Sequence, residues 1–95
     1  MQVGIIIPAR NEADALGRVL AELPWALIHE VIVVDNGSTD ATASVARRGG
    51  ARVMTEPVPG YGRACLAGIA SLDPSIETVV FMDADHSDYP EELPK

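Results

Sequence analysis

Two aspartates two residues apart, Asp83 and Asp85, lie within the segment VVFMDADHSD at residues 79–88. Carboxylates at that spacing can share a hard divalent cation such as Mg²⁺ or Mn²⁺ and leave coordination positions open to phosphate oxygens. Alone the pattern is weak, because seven aspartates in 95 residues produce such a pair in about one of every two random shuffles. Its place directly after an apolar, β-type run is what sets it apart from a solvated acidic turn. His86 could add a third ligand or contact a leaving phosphate, or simply stand exposed among acids. Asp35 ends a second apolar run, VIVVD, just before NGSTD. Its carboxylate could accept a hydrogen bond from a nucleotide base, or bond the amides of the turn that follows. Arg10 and Arg63 are the cations best placed to meet a diphosphate through forked hydrogen bonds, the alternative being solvated surface arginines. Tyr61 covers either a ligand or its own loop.

Four short runs must position these groups: residues 3–8, 31–35, 51–56 and 78–83. The first, second and fourth lack polar alternation, as strands covered on both faces do. Helical patterns lie between them. In NEADALGRVLAEL the residues Leu16, Val19, Leu20 and Leu23 fall at i, i+3, i+4 and i+7, with Asn11 placed to cap the first turn. DATASVARRGG offers Thr39 or Asp40 as cap, Arg47 and Arg48 in the last turn and Gly49 or Gly50 as the stop. GRACLAGIASL is built of small residues and is expected to turn Leu66, Ile69 and Ala70 inward. Alternating strands and helices at this spacing imply a parallel sheet with right-handed crossovers and helices on both faces. In such sheets ligands bind beyond the carboxyl ends of the strands. PARNE, DNGSTD, PGYGR and DADHSD all follow strand ends, so the polar groups converge on one edge. Trp25 and His29 lie in the connector PWALIHE and are expected to pack against the first helix.

The totals bound the function. Ninety-five residues allow one domain, 47% of them hydrophobic, and the formal net charge of -7 argues against a nucleic-acid footprint and against attraction to an anionic lipid surface, while an anionic ligand could still bind where a cation or a few arginines offset the local field. The single Cys65 excludes an internal disulfide and reads as a small buried residue. No apolar run approaches the ~20 residues of a bilayer span, and no signal-peptide core precedes the first strand. The expectation is a cytoplasmic protein, placed peripherally at the inner face of the membrane in a full-length form. DYPEELPK, with Pro90 at a first helical turn, reads as a chain cut short.

In order and spacing, IIPARNE, VIVVDNGSTDAT, GYGRACLAGI and VVFMDADHSDYPEELPK resemble the family 2 glycosyltransferases of GT-A fold, most of all the dolichyl- or polyprenyl-phosphate sugar synthases. The resemblance implies an α/β, three-layer, Rossmann-like half-domain with about four parallel strands in the order 3-2-1-4. Residues 1–95 would be its single, truncated, nucleotide-sugar-binding part. It further implies a UDP- or GDP-linked sugar donor held with Mg²⁺ or Mn²⁺, and inverting transfer to an acceptor such as a polyprenyl phosphate. Carried over by position, Pro8, Ala9 and Glu12 would line the nucleoside pocket. Asp35 and Asn36 would meet the base, and Asp83 and Asp85 would hold the metal and the diphosphate, which Arg10 and Arg63 are expected to meet on the reading of the residues above. Asn36 stands where the family commonly has a second aspartate, and an amide can donate as well as accept.

Members of that family run to more than twice this length, so the chain alone is expected to be inactive. A fourth strand without its outer neighbours would expose an edge and favour self-association. Other readings are a non-catalytic nucleotide-binding or interaction module, and a sugar-nucleotide pyrophosphorylase, which would want a glycine-rich, lysine-bearing loop after the first strand. A nicotinamide-binding domain is excluded by the lack of Gly-x-Gly-x-x-Gly in PARNEADALG.

Overall fold

The structure, a computed structural model, describes residues 2–84. Asp85 and His86 lie outside the described residues, as do the remaining residues to 95. Strands β1 (Val3–Ala9), β2 (Glu30–Asp35), β3 (Arg52–Thr55) and β4 (Thr78–Phe81) alternate with helices α1 (Ala13–Ala21), α2 (Thr42–Arg48) and α3 (Tyr61–Ser71). All pairings are parallel and the order is β3-β2-β1-β4. This is the order implied by the resemblance. The chain steps outward from β1 to β3 and then returns to β1's other side, so the order reverses between β1 and β4.

The unbroken apolar runs form two half-cores. Ile5, Ile7, Val31 and Val33 point to one face, where Leu16, Val19 and Leu20 of α1 and Ala46 of α2 cover them. Ile6, Ile32 and Val34 point to the other, under Ala64 of α3. A strand with helices on both sides has no solvent face for a polar residue, which is why its sequence does not alternate.

Helix α3 corrects the expected register. Leu66 is 66% and Ile69 46% exposed, and Ala70 is exposed too, whereas Ala64 and Gly68 are buried. A Cβ at Gly68 would lie 2.6 Å from Ile6 Cγ2. The helix rides so close to the sheet that only its smallest face fits beneath it, and proximity outweighs the burial its larger residues would gain. Cys65 is half-buried rather than buried. The expected glycine stop of α2 holds, since Gly50 has φ 99, a conformation suited to glycine, and its neighbour Gly49 leaves room for Leu20; the N-cap position of α2, however, is Ala41 rather than Thr39 or Asp40.

Trp25 donates its indole N–H to Leu20 O at 2.8 Å, against the end of α1. His29 instead stands 3.8 Å from Asp73, in the connection between α3 and β4. Among the described residues no helix is long and apolar enough to cross a membrane.

Candidate functional site

Because the strands are parallel, all four carboxyl ends meet one edge of the sheet. Pro8 opens that edge. Along β1 the even-numbered residues bond toward β4, as Met82 N donating to Ile6 O shows. The N–H that proline lacks would therefore face β4's side, where pairing has already ended at Ile6 and Phe81. No ladder bond is lost there, and β1 and β4 can part.

The loops after β1 and β2 are knitted together by side chains. Asn11, at φ 53, does not cap α1; its Oδ1 accepts from Thr39 N at 2.8 Å, while its own N–H donates to Ser38 Oγ at 2.9 Å. Glu12 occupies the N-cap of α1 and donates its N–H to Thr42 Oγ1 at 3.0 Å. Asp40 accepts from Thr42 N at 3.0 Å through Oδ1 and from Ala13 N at 3.2 Å through Oδ2. One carboxylate thus serves the first turns of two helices, where unpaired amides favour negative charge. The Thr42 hydroxyl also donates to Asp40. That bond, with the backbone amides of Thr42 and Ala13, holds the Asp40 carboxyl below its usual range despite some desolvation. The sequence reading offered Asp40 only as a cap of α2. The bridge to α1 was missed, although SxDxT ahead of a helix carries the signal of several short oxygen-bearing side chains.

Asp35 and Asn36 diverge. Asp35 follows Val31 and Val33 to the face of α1 and α2, and its Oδ1 accepts the Ser38 amide at 3.0 Å. The turn-supporting role considered for it is therefore present, and it occupies one of the two carboxylate oxygens. Asn36, 8% exposed, follows Val34 toward α3. Its Nδ2 donates to Glu56 O at 2.7 Å and Val58 O at 2.9 Å, and its Oδ1 accepts from Gly60 N at 3.0 Å.

At this edge a hollow of about 270 Å³ is lined by Pro8, Ala9, Arg10, Asn36, Gly60 and Tyr61. Sites for small molecules usually enclose about 300–1,000 Å³, so it has room for part of such a ligand. Four of the expected binding residues line it. Gly60 and Tyr61 complete it; the irregular EPVPGYG stretch carried that signal. Arg63 stands at the rim, its stem beside Gly60, and neither it nor Arg10 makes an ion pair among the described residues. Glu12 and Asp35 flank the hollow without lining it. Asp83 is exposed two residues beyond β4, between Met82 and Ala84, which pack into the layer beneath α1 and α2.

Asp85 completes the expected carboxylate pair from outside the described residues, among which no group of three or more His, Cys, Asp or Glu side chains could hold a metal ion. One or two carboxylates with open positions is the donor set for a cation that also binds substrate phosphates, not for a closed protein cage. The chemistry of Asp83 fits that use.

A family model described as Glycosyl transferase family 2 matches residues 4–95. An uncharacterized glycosyltransferase of Mycobacterium tuberculosis is 45% identical over 93 residues, which are 98% of this chain and 41% of that protein. A dolichyl-phosphate hexose transferase of Haloferax volcanii is 38% identical, over 98% of this chain and 40% of its own. Among solved structures, glucosyl-3-phosphoglycerate synthase from Mycobacterium tuberculosis, in complex with Mn²⁺, UDP and glucosyl-3-phosphoglycerate, superposes with a TM-score of 0.79 at 33% identity. The match covers 88% of this chain and 33% of that one. The chain thus spans about two-fifths of the length of these two curated relatives.

Proposed function

The chain belongs to glycosyl transferase family 2, and from that premise we propose that it is the donor-binding part of an inverting glycosyltransferase. The observation that carries the reading is the hollow at the carboxyl edge, walled by Pro8–Arg10 on one side and Gly60–Tyr61 on the other. The nucleoside of a UDP- or GDP-linked sugar would lie there, with the free oxygen of Asp35 meeting the base and Glu12 bounding the pocket. Arg10 and Arg63 would meet the diphosphate by forked hydrogen bonds. Asp83 and Asp85 would hold Mg²⁺ or Mn²⁺, whose charge, when bound, offsets that of the departing diphosphate. In the transfer the acceptor oxygen bonds the anomeric carbon as the bond from that carbon to the diphosphate oxygen breaks, which inverts the centre. The name of the Haloferax relative, a dolichyl-phosphate hexose transferase, supports a polyprenyl phosphate as acceptor. That acceptor is already an anion and needs no base. A lipid-phosphate acceptor would bring the full-length protein to a membrane surface, and we place it on the cytoplasmic side.

Calorimetric titration with UDP and GDP, with and without Mn²⁺ or Mg²⁺, tests the reading. Metal-dependent binding of one nucleotide is expected, weakened about tenfold by Arg10→Ala. Absence of binding by either nucleotide would return the chain to an interaction module. Since the chain spans two-fifths of its relatives, turnover with a lipid phosphate is expected to be negligible, and normal turnover would overturn that expectation.

A further inference from the structure

We infer that Asn36 is a positioning residue that joins the two walls of the hollow, holding Gly60 and Tyr61 at a fixed distance from Pro8–Arg10; the inference rests on the donor-site reading above. Its backbone N–H donates to Ala9 O at 2.9 Å, on the first wall. Its side chain makes three bonds to the second, donating to Glu56 O and Val58 O and accepting from Gly60 N. Both amide hydrogens are thereby spent within the protein, so Asn36 has no donor left for a base.

The rest of the loop is arranged around that clasp. Glu56 N donates to Asp35 O at 3.0 Å, prolonging the pairing of β2 with β3. Val58 N donates to the Glu56 carboxylate at 2.9 Å. Gly60 turns at φ 132, ψ 135, where an L side chain is strained, and its carbonyl then accepts from Ala64 N as α3 begins. An aspartate at 36 could accept from Gly60 but would set a carboxylate oxygen against the carbonyls of residues 56 and 58. Only an amide makes all three bonds, which explains Asn36 in physical terms as a residue that shapes the donor pocket.

The test compares the chain with Asn36→Asp, Asn36→Ala and Gly60→Ala, measuring UDP affinity in Mn²⁺ and amide exchange across residues 56–60. Gly60→Ala loosens the same loop without touching the core, its nearest neighbour being the Arg63 stem at 3.8 Å. The expected result is faster exchange in the loop and UDP affinity lowered about tenfold in all three. For Asn36→Asp the deficit should narrow as the pH falls, since a protonated carboxyl regains one donor. Unchanged affinity and exchange in the Asn36 variants would overturn the inference. Weakened UDP binding with an undisturbed loop would also overturn it, by making Asn36 a direct ligand contact. If the parent chain binds neither UDP nor GDP while its loop still depends on Asn36, the donor-site reading has failed and the clasp stands only as loop structure.

Discussion

At the scale of single residues, the carboxyl edge divides its acids by what their oxygens already do. Both oxygens of Asp40 accept backbone amides, so it is structural. Asp35 has given one oxygen to Ser38 and among the described residues keeps the other, which is the condition for meeting a base N–H. Asp35→Ala is therefore expected to weaken nucleotide binding about tenfold or more, as the loss of a charge-assisted bond does, with unfolding in denaturant shifted far less. Titration of the variant beside its parent measures both. The Asp40 carboxyl is lowered mainly by the Thr42 hydroxyl. Its contribution to stability is thus complete above the ordinary carboxylate value, near 3.9, and is lost as the pH falls through the lower folded value. Asp40→Asn should flatten that acid limb in a pH series of thermal melts, while leaving a lower melting temperature at neutral pH.

The elements show how small residues set geometry that larger ones only decorate. Gly68→Ala brings a methyl against the fully buried Ile6, and overpacking of this kind costs about 1–3 kcal/mol. Better helix propensity returns at most about 1 kcal/mol, so the net change is destabilising. Gly62→Ala on the same helix meets nothing within 4 Å and should have the opposite sign. Denaturant midpoints of the two variants give both signs in one experiment. Thr42, fully buried, ties the start of α2 to Glu12 at the start of α1. Thr42→Val keeps its shape but removes that bond and the one from the Thr42 hydroxyl to Asp40, so a loss of about 1–3 kcal/mol is expected by the same measurement.

For the whole molecule the uneven feature is β4. Among the described residues it pairs only with β1, and Val79, Val80 and Phe81 are 37–42% exposed. An apolar strand with a free edge invites pairing with a second copy; sedimentation should show concentration-dependent association, abolished by Val80→Lys, and a monomer at all concentrations would refute it. The sequence alone determined the alternation of strands and helices, the parallel sheet and the edge where polar residues gather. Those follow from apolar periodicity and from turn and cap residues, which act over a few positions. It also marked PARNE, DNGSTD and PGYGR as neighbours at that edge. Only the tertiary structure decided which face of α3 lies down, because Gly68 can be weighed against Leu66 and Ile69 only once Ile6 stands beneath it. It alone separated Asp35 from Asn36, adjacent in sequence and both expected to meet the base. Strand alternation sends them to opposite faces, one to a turn and the other to a loop 20 residues further on, and no local pattern records a partner at that distance.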